Sequence, residues 1–173
     1  MENLIAMAQK GDKEAFTELI LEIKNDLYKI AKCRLYSEDD IEDAVQETMI
    51  KAFKAIKKLN KKQSYKKWII SILINECNNV YKKNKNINVS FDSLELDNIY
   101  SNIDSYNNLE KQDFYTLLHG LKYEERITIM LFYVEDYSIK EISKALKTNE
   151  NTIKTWLKRG KQKIKQKYEK GNE

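Results

Sequence analysis

The chain has 173 residues, with 31 bases, 27 acids and a formal net charge of +4; it carries two cysteines, one histidine, four glycines and no proline. That length holds one ordinary domain or two small ones, and no apolar run nears the roughly 20 residues that cross a bilayer. The inventory excludes a Cys/His zinc site, a collagen-like repeat, a proline-rich linker and a glycine-rich phosphate loop.

Residues 3–10 read as a short helix, broken at Gly11, with Asp12 able to cap the next one. Phe16, Leu19, Ile20, Ile23, Leu27, Ile30, Ala31 and Leu35 then recur at three- and four-residue steps, one apolar stripe on a long helix. Ser37 is the predicted N-cap of a third helix, and acids at 38–40 and 42–43 suit the positive end of its dipole. Ile41, Ala44, Val45, Thr48, Ala52, Phe53 and Ile56 are its predicted inner side. After a basic connection at 57–66, Ser64 caps a fourth helix with Trp68, Ile69, Ile72, Leu73, Val80 and part of Tyr81 inward. Residues 84–108 are rich in Asn, Ser and Asp and read as a flexible linker. Helical spacing returns with Leu109, Leu117, Leu118 and Leu121, then Ile127, Leu131 and Val134. Two final elements follow, one with Ile139, Ile142 and Leu146 inward, the other with Ile153, Leu157, Gly160 and Ile164. The expected fold class is all-α: two small helical domains, residues 1–84 and 109–173, joined by a linker at 85–108. With Glu2 ahead of only a short apolar stretch at 4–8, no secretory signal is expected, and the localisation expected is cytoplasmic.

Charge is unevenly placed. Residues 37–47 hold six acids and no base; residues 48–83 hold ten lysines and one acid, Glu76. Residues 84–116 are acidic, and residues 137–170 hold eleven bases against three acids. Two basic blocks flanking an acidic stretch suit two contacts with a polyanion. The bland alternative is lysine solvating ordinary helix faces.

The segment 137–164 has helix-turn-helix form. Ser138 caps a short helix, residues 147–149 turn, and Asn149 caps a second helix. On that helix Lys154, Lys158, Lys161 and Lys165 form a stripe beside Thr155, Arg159 and Gln162, opposite the Ile153, Leu157 and Ile164 seam. An apolar back and a polar front are what a helix needs to lie in the major groove. Lysines attract phosphates, while Asn151, Thr152, Thr155, Arg159 and Gln162 can read base edges.

In the N-terminal half, Asp43, Gln46, Glu47 and Ile50 share one helix side, which serves solubility or docking on a basic protein. Asn75, Asn79, Lys82 and Lys83 share one face of the fourth helix, and Lys61, Lys62, Gln63, Ser64 and Tyr65 precede it. Amides, a hydroxyl and an aromatic ring are suited to an unstacked base of a single strand.

Three ordered blocks, residues 39–53, 68–83 and 121–164, resemble the extracytoplasmic-function sigma factors of the bacterial sigma-70 family. The resemblance implies a non-catalytic, cofactor-free transcription initiation factor. It implies that Asp43, Gln46, Glu47 and Ile50, with Asp40 nearby, dock on core RNA polymerase. It implies that Lys61, Lys62, Gln63, Ser64, Tyr65, Asn75, Asn79, Lys82 and Lys83 recognise and help melt the −10 promoter element. Asn151, Thr152, Lys154, Thr155, Lys158, Arg159 and Gln162 would meet the −35 duplex. A membrane-anchored anti-sigma partner is a further family expectation, with no membrane insertion of this chain itself. The sequence departs from the pattern at Asn79, where Asp is common, at Lys82 and Trp156, where Arg is common, and at Lys122, where proline is frequent. Two rivals remain: a stand-alone helix-turn-helix regulator, which leaves the Asp43 and Asn75 faces without a purpose, and an enzyme built on His119 or Cys77.

Overall fold

In the computed structural model of the chain, the described residues are 2–35, 37–60, 64–85, 117–118 and 120–170. Two compact units fall within residues 1–88 and 89–173. The readings made above for Lys61, Lys62, Gln63, Leu109, His119 and most of the linker lie outside the described residues.

The first unit contains α1 (Glu2–Gln9), α2 (Lys13–Lys32), α3 (Glu38–Ala55), a 3-10 turn (Ile56–Lys58) and α4 (Tyr65–Lys85). Gly11 takes φ +100°, a left-handed value that a side chain resists, and so lets the chain reverse after α1. Asp12 then caps α2, its Oδ1 accepting from the backbone N–H of Glu14 and Ala15 at 3.0 Å each. The α2 stripe is buried along its whole length, from Phe16 at 8% exposure to Leu27 at 0%. Each such side chain contributes about 1.5–3 kcal/mol when taken out of water. Ser37 caps α3 as expected, with Glu38, Asp39 and Asp40 in the first turn. Both α2 and α4 pack on α3, and α1 lies against α2 and the 3-10 turn. Gln9 fastens that corner: its Nε2 donates to the carbonyls of Ile56 (3.2 Å) and Leu59 (2.9 Å).

Two expectations about this core change. The inner face of α4 is Tyr65, Ile69, Ile70, Leu73, Ile74 and Cys77, while Trp68, Ile72 and Val80 are only half-buried. Six of the seven residues at 68–74 are apolar, so their pattern does not choose a side; contact with both α2 and α3 chooses it. Phe53 is 42% exposed and meets the ring of Phe16 edge-on, centroids 5.1 Å apart, because it sits at the rim of the α2–α3 contact.

The second unit contains α5 (Tyr123–Tyr133), α6 (Ile139–Leu146) and α7 (Glu150–Lys170), with α6 and α7 both packed on α5 and on each other. Every residue from Glu125 to Leu131 is buried, so α5 is the central element. Val134, expected inward, is 42% exposed, since α5 has ended and the chain turns at Asp136 (φ 52°). Ser138 caps α6, and Glu141 returns the bond to the Ser138 N–H at 2.8 Å, a reciprocal capping box. The helix ends in a Schellman turn: the Thr148 N–H donates to Ser143 O (3.0 Å) and the Lys147 N–H to Lys144 O (3.3 Å). Lys147 holds the left-handed conformation there, φ 53° and ψ 45°. Asn149 caps α7, its Oδ1 accepting from the Thr152 N–H at 2.8 Å.

α7 comes close to α5 at Gly160. A Cβ built there would lie 2.9 Å from Ile129 Cγ1 and 3.2 Å from its Cδ1, so any larger residue would force Ile129 or the helix to shift. Just beyond, Lys163 Nζ donates to Glu125 Oε2 at 2.7 Å, and the same carboxylate oxygen accepts from the Lys122 N–H at 3.1 Å. Glu125 is 3% exposed. A carboxylate so buried is tolerable only because it is paired and hydrogen-bonded.

Candidate functional site

Three surfaces carry the residues singled out from the sequence. On α3, Asp43, Gln46, Glu47 and Ile50 are all exposed, Ile50 at 47%. At 100° per residue they span a roughly 100° arc. The result is an acidic strip with one apolar residue in it, opposite the buried Ile41, Ala44, Val45 and Thr48.

Asp40 behaves differently. It is half-buried, and its Oδ2 accepts from Asn84 Nδ2 of α4 at 2.7 Å. Lys51 stands on the same edge of α3 as Asp40 and reaches Glu76 Oε2 of α4 at 2.6 Å and Glu47 Oε1 at 3.4 Å. Its pKa is raised, first by the hydrogen bond to Glu76. Glu76 is 8% exposed.

On α4, Asn75, Asn79, Lys82 and Lys83 are exposed along one side, opposite Leu73, Ile74 and Cys77. The Asn75 Nδ2 already donates to Ser71 O at 2.8 Å, which leaves its carbonyl oxygen outward as an acceptor. Ser64 is exposed at the start of the helix. Tyr65 is a correction: it is 5% exposed, its hydroxyl has no hydrogen-bond partner among the described residues, and burial pushes its pKa well above the ordinary phenol range. Its ring belongs to the core and presents no face to a base.

On α7, Asn151, Lys154, Thr155, Lys158, Arg159 and Gln162 are exposed, and Thr152 is half-exposed. The six exposed positions span a roughly 140° arc. Ile153 and Leu157 lie behind them, buried at 0% and 8%. Thr155 Oγ1 donates to Asn151 O at 2.9 Å, so its hydroxyl is held along the helix. No salt bridge is recorded for Lys154, Lys158 or Arg159 among the described residues, and their charge faces solvent, as a polyanion contact needs.

Cys33 and Cys77 are both buried, and neither forms a disulfide. Burial pushes the Cys77 thiol up to about 12, so it is not a thiolate at neutral pH and lacks what a nucleophilic cysteine requires. Among the described residues no cluster of three or more His, Cys, Asp or Glu is arranged to hold a metal. No described helix is long and apolar enough to cross a membrane.

The sequence reading missed Lys51, Glu76 and Asn84. A single acid among ten lysines was the available signal for Glu76.

Comparison with known proteins bears on these surfaces together. The pattern of Sigma-70 region 2 matches residues 19–87, and that of Sigma-70, region 4 matches residues 111–164. RNA polymerase sigma factor SigV of Bacillus subtilis is 29% identical over 147 residues, 85% of this chain and 87% of that one. ECF RNA polymerase sigma-E factor of Haemophilus influenzae is 25% identical over 96% of this chain and 94% of its own. Among solved structures, the sigma factor RpoE of Bartonella quintana, in complex with the anti-sigma factor NepR, superposes with a TM-score of 0.67 at 23% identity, covering 87% of this chain and 94% of that one. CnrH, in complex with the cytosolic domain of CnrY, gives 0.62 at 18% identity, covering 96% and 95%. At these identities the two structures speak to the fold.

Proposed function

The chain belongs to the extracytoplasmic-function sigma factors of the sigma-70 family, and from that premise we propose how its surfaces divide the work of starting transcription. The exposed acidic strip of α3, Asp43, Gln46, Glu47 and Ile50, docks on core RNA polymerase. Ser64, Asn75, Asn79, Lys82 and Lys83, with Lys61, Lys62 and Gln63 before them, hold the −10 element as it opens. The front of α7, Asn151, Thr152, Lys154, Thr155, Lys158, Arg159 and Gln162, lies in the major groove of the −35 element. The protein adds no bond-making chemistry; it acts by binding the opened strand more tightly than the closed duplex, which shifts the equilibrium toward the open form.

The observation that best supports this division is the pairing of α3 and α4. One helix turns an acidic strip outward and the neighbouring helix turns an Asn/Lys strip outward, while their apolar sides share one core. A regulator that only grips duplex DNA has use for α6 and α7 but none for this pair. An anti-sigma protein, such as the NepR bound to RpoE, would hold the factor inactive by covering these same faces, and it would be membrane-anchored if the signal is extracellular. The working site is the cytoplasm, where polymerase and DNA are.

Transcription with purified core polymerase tests the reading. Addition of this protein should give initiation from promoters that core enzyme alone does not use, and Asp43→Ala with Gln46→Ala should abolish it by weakening core binding. A protein that binds duplex DNA tightly yet leaves core enzyme unable to initiate would be a stand-alone regulator.

A further inference from the structure

Asp40, Glu76 and Asn84 lie between the two proposed working faces, and Lys51 joins them to one of these, pairing with Glu76 and, more loosely, with Glu47 of the docking strip. We infer that they form a two-point clasp that fixes the rotation and slide of α4 against α3, and that they act as positioning residues for strand opening. The inference rests on the functional reading above.

The first point is the Asn84–Asp40 hydrogen bond at 2.7 Å, the second the Lys51–Glu76 pair at 2.6 Å. Asp40 and Lys51 are eleven positions apart on one edge of α3, about three turns or ~16 Å along its axis. Beyond the shared apolar core, one polar contact would pin α4 at a single point; two contacts this far apart constrain both its angle and its register. The chemistry at each point also favours a clasp over a contact surface. A carboxylate meant for a basic partner keeps its oxygens outward, as the exposed Asp43 does, whereas Asp40 is half-buried with one oxygen engaged. Glu76 is 8% exposed, and in a segment of ten lysines a buried acid has no phosphate to meet. Removing a partner from a buried charge is costly, so the Lys51–Glu76 point resists opening.

Asn84 is the penultimate residue of α4, next to Lys82 and Lys83. The last carbonyls of a helix lack intrahelical partners and its final turn frays readily. Tying Asn84 to α3 holds in place the turn that carries both lysines. The clasp thereby transmits a fixed geometry from the docking strip to the strand-holding strip.

The test uses full-length protein, core polymerase and a promoter selected by the wild-type holoenzyme from random-sequence DNA. Three quantities are read: equilibrium affinity for core, thermal unfolding followed by circular dichroism, and permanganate reactivity of the −10 strand at saturating holoenzyme. Asn84→Ala should lower the opening equilibrium about three- to tenfold, the net effect of one lost hydrogen bond, with core affinity within about twofold of wild type. Glu76→Gln should lower opening in the same direction. The exchange Asp40→Asn with Asn84→Asp restores donor and acceptor in reversed places and should recover most of the opening. A merely structural pair would lower the unfolding midpoint without changing the opened fraction at saturation. The inference is overturned if Asn84→Ala opens the promoter as wild type does, or if the exchange is no better than Asn84→Ala. A wild-type chain that selects no promoter and does not bind core would overturn the functional reading, and the clasp's role with it.

Discussion

Replacing Gly160 with alanine sets two effects of opposite sign against each other. Gly160 is a buried residue inside α7, and in an open helix position the change stabilises by about 1 kcal/mol through backbone entropy. Here the added methyl would lie 2.9 Å from Ile129 Cγ1 and 3.6 Å from Glu125 Cβ. Ile129 is 1% exposed on the central helix, and the clashing atom moves away only if χ1 rotates, which a buried β-branched side chain in a helix resists. Overpacking of this kind costs typically about 1–3 kcal/mol. The net expectation is destabilisation of about 1 kcal/mol, where propensity alone predicts an equal gain. Urea unfolding of the full chain, followed by circular dichroism, reads the difference. Ile129→Ala alone should cost about 2–5 kcal/mol by leaving a cavity. In the double variant the new methyl partly fills that space, so the sum of the single effects should exceed the double by at least about 1 kcal/mol. A more stable Gly160→Ala protein, or strict additivity with Ile129→Ala, would refute the close approach of α7 to α5.

Three further outcomes follow from the structure. Lys154→Ala should weaken promoter DNA binding most at low salt and flatten the salt dependence by about one unit of log–log slope, read by fluorescence anisotropy across a salt series, with core binding unchanged. Asn149→Ala removes the α7 cap seen at 2.8 Å and should lower stability by about 1 kcal/mol in denaturant titration. Alkaline pH should unfold the protein: the Cys77 thiol is raised from 9.0 to about 12 by burial, so its contribution is intact below pH 9 and is lost as pH rises toward 12. The slope is about 1.4 kcal/mol per pH unit in that window. Tyr65 and Tyr137, both raised by burial, act in the same direction. Cys77→Ala should show a shallower fall of unfolding free energy between pH 9 and 11, and the native Cys77 should resist a thiol reagent until the chain unfolds.

Helix existence and capping were readable because they are local. Asp12, Ser37, Ser138 and Asn149 bond to backbone two or three residues on, and the α2 stripe needs only its own periodicity. The front and back of α7 were readable for the same reason, since one side is lysine and the other aliphatic. The face of α4 was not, because a run of six apolar residues in seven leaves the choice to α2 and α3. Tyr65 next to a lysine-rich segment looked like a surface ring, but its position one turn before Ile69 puts it on the core side. Glu76, Glu125 and Asn84 were out of reach for a different reason: each is explained by a partner at least three helical turns away in sequence or on another helix, and charged residues are ordinarily read as outward.

The left-handed residue after α6 has a consequence of its own. Glycine would accept that bend freely, whereas a lysine there carries about 1–2 kcal/mol of backbone strain. With Lys147 in that place, the elbow between the two helices of the motif bears a cation on a rigid hinge. The main chain fixes where that lysine starts, while its exposed four-carbon stem lets the ammonium sweep the space around the elbow: a positive charge tethered to one place without being aimed in one direction.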